Sequence, residues 1–220
     1  DKKRRKKSIS LSSVKVLKIC TAINEELTQK QKIVVLFRLL EFIKSDFQEI
    51  TDQEHEFVET VADTFHIERV EYKRIKAFAL YSFNEIPNSS KLLIINDSKE
   101  YDHPKVRHMH KENLKGNIWI FHVTSVNMHV MRYLGESELY LNGQLVQQDK
   151  IFVLTPGSSI RDPKIRPIYY SDIVSAFISD ETKIKTLFEA NDIEYKFKSG
   201  DIGLHKMNFH EESGKLVGIM

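Results

Sequence analysis

Apolar and aromatic side chains recur at alternate positions in one short stretch of the sequence, where they could stack on a flat ring. Ile193, Tyr195 and Phe197 are spaced two residues apart, and in a β-strand such residues share one face. The faces of aromatic rings suit a flat base. A later apolar stretch, Leu216 to Met220, is predicted to be a strand leading to a phosphate-binding turn of backbone N–H groups. The alternative is that both rings belong to the core of a sheet.

Acidic side chains are grouped in a second segment, at Asp46, Glu49, Asp52 and Glu54. Carboxylate oxygens are ligands of hard cations such as Ca²⁺ and Mg²⁺, so these four residues are the candidate metal ligands. The segment also fits the start of a helix, because Thr51 and Glu54 have the spacing of a capping box. The remaining acids would then interact favourably with the positive N-terminal end of that helix.

Five histidines form a third group, His103, His108, His110, His122 and His129. Their spacings match no compact zinc site, and no cysteine lies among them. If the stretch around residue 109 is a strand, His108 and His110 share a face and could chelate a metal. The alternative is a scattered set of surface or hairpin histidines. No arrangement of Ser, Cys and His predicts a catalytic triad, so no residue is predicted to be catalytic.

The composition is that of an ordinary globular protein. Of 220 residues, 41% are hydrophobic and 29% charged, and the formal net charge is +2. Such a balance gives no reason to expect a nucleic-acid partner. No apolar run approaches the roughly 20 residues that span a bilayer. The single cysteine, Cys20, is predicted to be a small core residue.

Six consecutive basic residues, Lys2 to Lys7, stand at the start of the chain. They are predicted to be a solvated linker. The alternatives are contact with anionic lipid, where each basic side chain contributes about 1 kcal/mol, and contact with nucleic acid, which nothing downstream supports.

Residues 9–86 are predicted to form a small helical bundle, because apolar residues recur at spacings of three and four. One helix opens at Thr28, with Gln31 three residues on, and another at Thr51. The apolar face of the first of these is Ile33, Leu36, Phe37, Leu40 and Ile43. That of the last predicted helix is Val70, Tyr72, Ile75, Phe78 and Ala79. Neither glycine nor proline occurs before Pro87, so nothing interrupts these helices.

After Pro87 the pattern changes to short β-like runs at close spacing, which predicts an antiparallel sandwich or barrel. Asn142-Gly143 between two apolar runs predicts a tight hairpin. Pro167 and the adjacent Tyr169 and Tyr170 suggest an edge strand or a docking surface, with core packing as the alternative.

The end of the sequence resembles the start of an ATP-binding cassette, the nucleotide-binding domain of ABC-type ATPases. The matching order is the aromatic run 193–197, Gly203-Leu204, Met207 to Phe209, and Ser213 to Met220. In that family the last strand leads into the glycine-rich Walker A loop. The resemblance implies that the chain is a piece of a longer protein, cut before that loop. It also implies that the parent binds ATP and Mg²⁺, with Phe197 and, second, Tyr195 stacking on adenine.

Two further resemblances concern the preceding parts. The helix end Phe42 to Asp46, followed by Glu49 to Thr51, Glu54 and Phe57-Val58, is similar to the acidic helix junction of the TerB-like family. Phe47 and Gln48 replace the usual glycine part, which weakens the case for that family's metal site.

The second resemblance is to the forkhead-associated (FHA) β-sandwich. Leu139 to Gly143, followed by Val153 to Ile160, is similar to the closing strands of that fold. The phosphothreonine-reading motifs of the family are missing, so phosphopeptide binding is not expected.

Together these patterns predict an α+β fold of two domains, a helical bundle followed by an antiparallel β-sandwich. The predicted segments are a basic linker (1–8), a TerB-like domain (9–86), an FHA-like domain (87–182) and the first strands of a cassette (183–220). The resemblances imply a non-catalytic regulatory or scaffolding region of an ABC transporter's ATP-binding protein, cytoplasmic and at the inner face of the membrane. Its partners would be the rest of the ATPase, the transmembrane domain, and a protein or anionic lipid. The alternatives are a protein- or peptide-binding adaptor and a metal-sensing helical domain.

Overall fold

The computed structural model describes residues 17–44, 51–99, 105–178, 187–212 and Gly218. The basic run Lys2 to Lys7, the acids Asp46 and Glu49, and the predicted strand Leu216 to Met220 lie outside the described residues, apart from Gly218. Contacts divide the chain into two units, Asp1–Phe177 and Ile178–Met220, and each is considered separately. The α+β class is as predicted, with helices first and a β-rich region after them.

The helical part begins with α1 (17–26), followed by α2 (Gln29–Lys44), α3 (Asp52–Thr64) and α4 (Arg69–Leu80). Both predicted capping boxes are confirmed. The Thr28 backbone N–H donates to Gln31 Oε1 at 2.9 Å, and the Thr51 N–H donates to Glu54 Oε2 at 2.8 Å. These bonds satisfy backbone donors that a helix start otherwise leaves without partners.

The predicted core faces of these helices are largely confirmed. All five residues predicted for α2 are buried. On α4 the prediction holds for Tyr72, Ile75, Phe78 and Ala79 but is wrong for Val70, which is 51% exposed. The apolar stripe of α4 turns away from the core at its first turn, because Val70 lies three and four residues from Lys73 and Arg74 rather than from the buried residues.

The main sheet has five strands, which in chain order are β1 (Leu92–Asn96), β2 (Arg107–His110), β3 (Gly116–Val123), β4 (Met128–Gly135) and β7 (Phe152–Leu154). Across the sheet their order is β2-β1-β3-β4-β7. The pairs are antiparallel except β1 with β2, which is parallel. The prediction of an antiparallel sandwich or barrel is therefore wrong at this edge, where β1 and β2 run in the same direction.

A second sheet has four antiparallel strands in the order β6-β5-β8-β9. They are β5 (Tyr140–Leu141), β6 (Gln144–Leu145), β8 (Ser159–Asp162) and β9 (Ile165–Tyr169), and α5 (Tyr170–Phe177) follows directly. The predicted hairpin at Asn142-Gly143 is confirmed, since both residues have positive φ, 52° and 85°.

The main sheet is buried on both faces. Leu92 and Ile94 of β1 belong to the core that the helices share with the sheet, while Leu93 and Ile95 belong to the core shared with the second sheet and α5. The first unit is therefore layered as helices, five-stranded sheet and four-stranded sheet. The change of sequence pattern near Pro87 marks the transition from helices to strands inside this unit.

Charged side chains join the helices to the edge of the sheet. Arg132 on β4 is 1% exposed, and its guanidinium donates to the Phe78 and Tyr81 carbonyls and to the Asp149 carboxylate. Lys44 at the end of α2 bonds the other oxygen of Asp149 at 2.6 Å. Beside them, the Ile151 N–H donates to Glu41 on α2 at 2.7 Å. These bonds set the position of α2 and α4 on the sheet.

The described part of the second unit is one hairpin of β10 (Leu187–Lys196) and β11 (Ile202–Glu212). Across the described ranges, no helix is long and apolar enough to cross a bilayer.

Candidate functional site

The candidate base-stacking residues lie at the tip of the β10–β11 hairpin. Pairing runs from Leu187 with Glu212 to Lys196 with Ile202, and the register shifts on either side of Tyr195. Phe197 lies just beyond β10, in the turn, where its N–H donates to the Asp201 carbonyl at 2.8 Å. The simple alternation expected for this stretch is therefore interrupted close to the two aromatic residues.

The rings of Tyr195 and Phe197 are in contact. Their centroids are 5.1 Å apart and their planes are inclined by 83°, an edge-to-face arrangement. Tyr195 is 56% exposed and Phe197 52% exposed. The edge of one ring therefore meets the face of the other, and about half of each side chain remains exposed to solvent. Exposed aromatic rings of this kind are suited to stacking on a flat base.

Gly203 on β11 leaves room for this pair. A Cβ atom at this position would lie 2.5 Å from Cε2 of Phe197 and 3.1 Å from Cδ1 of Tyr195. Because real Cβ contacts are longer than this, a side chain here would displace the Phe197 ring. The absence of a side chain at Gly203 therefore allows the Phe197 ring to pack against β11.

A second aromatic pair lies at the other end of the hairpin. Phe188 and Phe209 have ring centroids 5.9 Å apart, and Phe188 is 63% exposed. Phe188 and Phe197 are both exposed phenylalanines, but they are separated along the strands. Phe188 is therefore a suitable control for a change at Phe197.

Of the four acids predicted to be metal ligands, two lie within the described residues and two do not. Asp46 and Glu49 lie outside them. Asp52 is in the first turn of α3, and Glu54 is engaged with Thr51 as the partner of its capping box. Hydrogen bonds from the Thr51 backbone and side chain lower the pKa of Glu54. The capping interpretation is thus confirmed for Thr51 and Glu54, and the described ranges contain no group of three or more potential ligands placed to hold a metal.

A calcium titration tests the metal-sensing alternative. Because Glu54 is already engaged as a cap, we expect calorimetric titration of the protein with Ca²⁺ or Mg²⁺ to give no saturable heat, and Asp46→Asn to change nothing. Saturable heat that Asp46→Asn abolishes would contradict this prediction and support a metal sensor.

His108 and His110 lie on β2, as the strand alternative required, but each has its own hydrogen-bond partner. His108 Nε2 is 2.9 Å from Asn96 Oδ1, and His110 Nε2 is 3.1 Å from Asp97 Oδ1. These contacts are those of single histidines on a strand edge. His103 lies outside the described residues.

A stacked pair, His122 and His129, was not predicted. The two residues face each other across β3 and β4, with ring centroids 4.4 Å apart and planes inclined by only 8°. His129 Nδ1 is 3.2 Å from the Tyr170 hydroxyl, and Phe177 of α5 packs on both rings. The signal in the sequence was the symmetric placement of both histidines about the β3–β4 turn, which a register assignment would have revealed.

Burial controls the titration of this pair. His129 is 2% exposed, and burial together with the charge of His122 lowers its pKa to about 4. Burial also lowers the pKa of His122. Both rings are therefore neutral at pH 7, and the pair behaves as part of the packing between the sheet and α5.

The edge-strand prediction for the residues around Pro167 is confirmed, and so is the core-packing alternative for Ile165 and Ile168, which are buried in the core. In the described residues β9 pairs only with β8, and Pro167 lies in β9, where a missing N–H is tolerated. Tyr169 is 47% exposed. Tyr169 lines an open cavity of about 460 Å³, whose other lining residues include Pro156 and Val174.

Asn142, a matching residue of the FHA resemblance, has a structural role. Its Oδ1 accepts the Ser159 N–H at 2.9 Å, and its own N–H donates to the Ser159 carbonyl at 3.0 Å. These bonds tie the hairpin to β8.

Comparison with known proteins identifies no family for this chain. No protein-family model matches the chain, and neither the curated proteins nor the solved structures give a significant match.

Proposed function

We propose that this chain is a non-catalytic regulatory or scaffolding region of an ABC-type ATP-binding protein, preceding its nucleotide-binding domain. In this proposal the helices form a TerB-like domain, residues 87–182 an FHA-like domain, and the β10–β11 hairpin the first strands of the cassette. The protein would work in the cytoplasm at the inner face of the membrane, with Lys2 to Lys7 against anionic lipid and ATP and Mg²⁺ bound by the cassette.

The observation that carries the proposal is the exposed aromatic pair at the hairpin tip. A hairpin of two strands is marginally stable by itself in water, so exposed apolar rings on it favour a further partner. The aromatic rings of Tyr195 and Phe197 are of the type that stacks on adenine. Gly203 leaves room for the Phe197 ring beside β11. The layered first unit also offers exposed surfaces for contact with a partner.

Phe197→Ala in the full-length protein should weaken ATP binding about tenfold, because stacking of an aromatic ring on a base contributes about 1–3 kcal/mol. Gly203→Val should have a similar effect, since a side chain at this position displaces the ring. Affinity is measured with a fluorescent ATP analogue, competed with unlabelled ATP.

Phe188→Ala is the matched control, because it removes an exposed phenylalanine ring from the other end of the same hairpin (63% exposed, against 52% for Phe197). We expect it to leave ATP affinity unchanged. If Phe197→Ala also leaves affinity unchanged, the stacking role is wrong, and if the full-length protein binds no ATP, the cassette assignment itself fails.

A second candidate function is a peptide-binding adaptor, which the edge strand β9 favours. An edge strand presents unpaired backbone groups to which an extended peptide can add, and the cavity beside Tyr169 could take one side chain of such a peptide.

An adaptor that uses this edge should lose its peptide when Tyr169 is changed to Glu, because the change places a charge beside an open apolar cavity. Peptides are selected from a displayed library against the purified chain, and affinities are compared for the wild type, Tyr169→Glu and Tyr140→Glu as a control on another strand of the same sheet. Equal affinity of all three for every selected peptide would exclude this edge.

A further inference from the structure

A cavity of about 350 Å³ lies between α4 and the sheet, in the first unit. Its lining includes Leu92 of β1 and Phe121 of β3, both buried at 2% exposure, and the loop Pro87 to Ser89. Its volume is at the lower end of the range found for small-molecule sites. Its lining shares no residue with the cavity beside Tyr169.

One stripe of α4 forms the helical wall of this cavity. It consists of Val70, Lys73, Arg74 and Ala77, whose spacing of three and four residues places them on one face of the helix. This face is not the core face of α4, which explains the exposure of Val70. The stripe is apolar at its ends and carries two positive charges in the middle.

The two cations of the stripe are free to bind a ligand. Both Lys73 and Arg74 are exposed, and neither forms a hydrogen bond or ion pair with any residue of the described ranges. The acid of the same helix, Glu71, faces elsewhere and accepts the Ser125 N–H at 3.1 Å. A lysine and an arginine side by side, next to an apolar cavity, are complementary to an anion with an apolar body.

The loop that forms the opposite wall is held in place by its own hydrogen bonds. The Ser89 carbonyl accepts the Leu92 N–H at 3.0 Å, and Ser89 Oγ accepts the Lys91 N–H at 3.2 Å. On the other side, Phe121 stacks on Phe78 at 5.5 Å. The cavity is thus preformed, which lowers the ordering cost of binding a small ligand.

We propose that this cavity binds a small amphiphilic organic anion, with its apolar tail against Leu92 and Phe121 and its carboxylate or phosphate group between Lys73 and Arg74. The site lies where the helices meet the sheet, so an occupant would bridge α4 and β1. The proposal is independent of ATP binding at the hairpin.

Octanoate is the probe, and binding is followed by backbone NMR shifts and by the fluorescence of Trp119. This residue is the single tryptophan of the chain and shares a strand face with Phe121. We expect saturable shifts confined to residues 70–77, 87–92 and their neighbours, with a dissociation constant below about 1 mM. Octyl phosphate is titrated in parallel, and the tighter of the two identifies the head group. Octan-1-ol, which lacks the charge, should bind at least about tenfold more weakly.

The double change Lys73→Gln and Arg74→Gln should weaken octanoate binding at least about tenfold. The matched control is Arg69→Gln with Lys76→Gln, which removes the same charge from α4 at residues that do not line the cavity. The control should bind as the wild type does. Val70→Phe should also weaken binding, because it narrows the cavity without changing charge. Equal loss in both double variants, octan-1-ol affinity equal to that of octanoate, or the absence of saturation would each overturn the proposal.

Discussion

Replacing Arg132 by Met should lower the free energy of unfolding by about 2–4 kcal/mol, because each buried acceptor left without its donor costs about 1–3 kcal/mol. Asp149 adds little to this cost, since its side chain is 41% exposed and its carboxylate can be hydrated. The guanidinium is buried and donates to two carbonyls, those of Phe78 and Tyr81, as well as to Asp149. It also lies 4.8 Å from the centre of the Phe83 ring. Methionine fills much of the same space but leaves these acceptors without their donor.

Urea unfolding followed by circular dichroism measures this change. Arg161→Met is the matched control, because Arg161 is exposed on β8 and its side chain forms, within the described residues, a single hydrogen bond, to Ser159 Oγ at 3.3 Å. We expect the control to change the unfolding midpoint little. If the Arg132 variant unfolds at the same urea concentration as the control, the buried arginine is not what holds the helices on the sheet.

The partner of Arg132 gives the same interaction a dependence on pH. Burial raises the pKa of Asp149, but hydrogen bonds from Lys44 and Arg132 outweigh it and lower the pKa below its ordinary value of 3.8. For Lys44 the balance is the opposite, because burial lowers its pKa more than the hydrogen bond with Asp149 raises it. The interaction therefore stabilises the charged form of Asp149 on folding, but not that of Lys44. A carboxylate with a depressed pKa stabilises the fold above its unfolded value, and this contribution is lost as pH falls through the folded value.

We expect the free energy of unfolding of the wild type to fall as pH decreases from about 6.5 to about 4, and His129→Phe to abolish this decrease. Folding lowers the pKa of His129 from 6.5 to about 4, first through burial and then through His122. Protons therefore bind the unfolded chain more readily, and the free energy of unfolding falls as pH decreases through this window. A shift of this size corresponds to about 3 kcal/mol.

The measurement is the free energy of unfolding at several pH values from 7.5 to 4 for the wild type and the variant (about five points each suffice to define a slope of about 1.4 kcal/mol per pH unit). The difference between the two curves isolates His129 from the acids that titrate in the same range. His55→Phe, on α3 and outside the stacked group, is the control and should follow the wild type. Parallel curves for the wild type and His129→Phe would show that the buried imidazole does not govern the acid response.

The features predicted correctly depend on residues close together in the chain. The cap at Thr51 needs only Glu54, three residues away, and the Asn142-Gly143 turn needs only residues that accept positive φ. The buried face of α2 follows in the same way from the spacing of its apolar residues. For such features the local sequence contains nearly the whole physical cause.

The features that were missed depend on partners far apart in the chain. Arg132 would be assigned to the surface by its charge, and its burial follows from carbonyls 51 and 54 residues away. The His122–His129 stack requires the register of β3 with β4, and its burial requires α5. Val70 fits a core pattern, yet it lines a cavity because the loop at Pro87 and strand β1 stand opposite it.

The aromatic pair at the hairpin tip shows both contributions at one place. The alternation of Ile193, Tyr195 and Phe197 identified the aromatic residues and their chemistry. The structure adds the register shifts on either side of Tyr195, the room that Gly203 leaves for the Phe197 ring, and the edge-to-face contact of the two exposed rings. Side-chain type and short-range spacing thus defined which groups can act, because these depend on covalent chemistry and backbone geometry. Burial, pairing and orientation were defined by packing between distant segments, because the free energy of those contacts arises only when the layers come together.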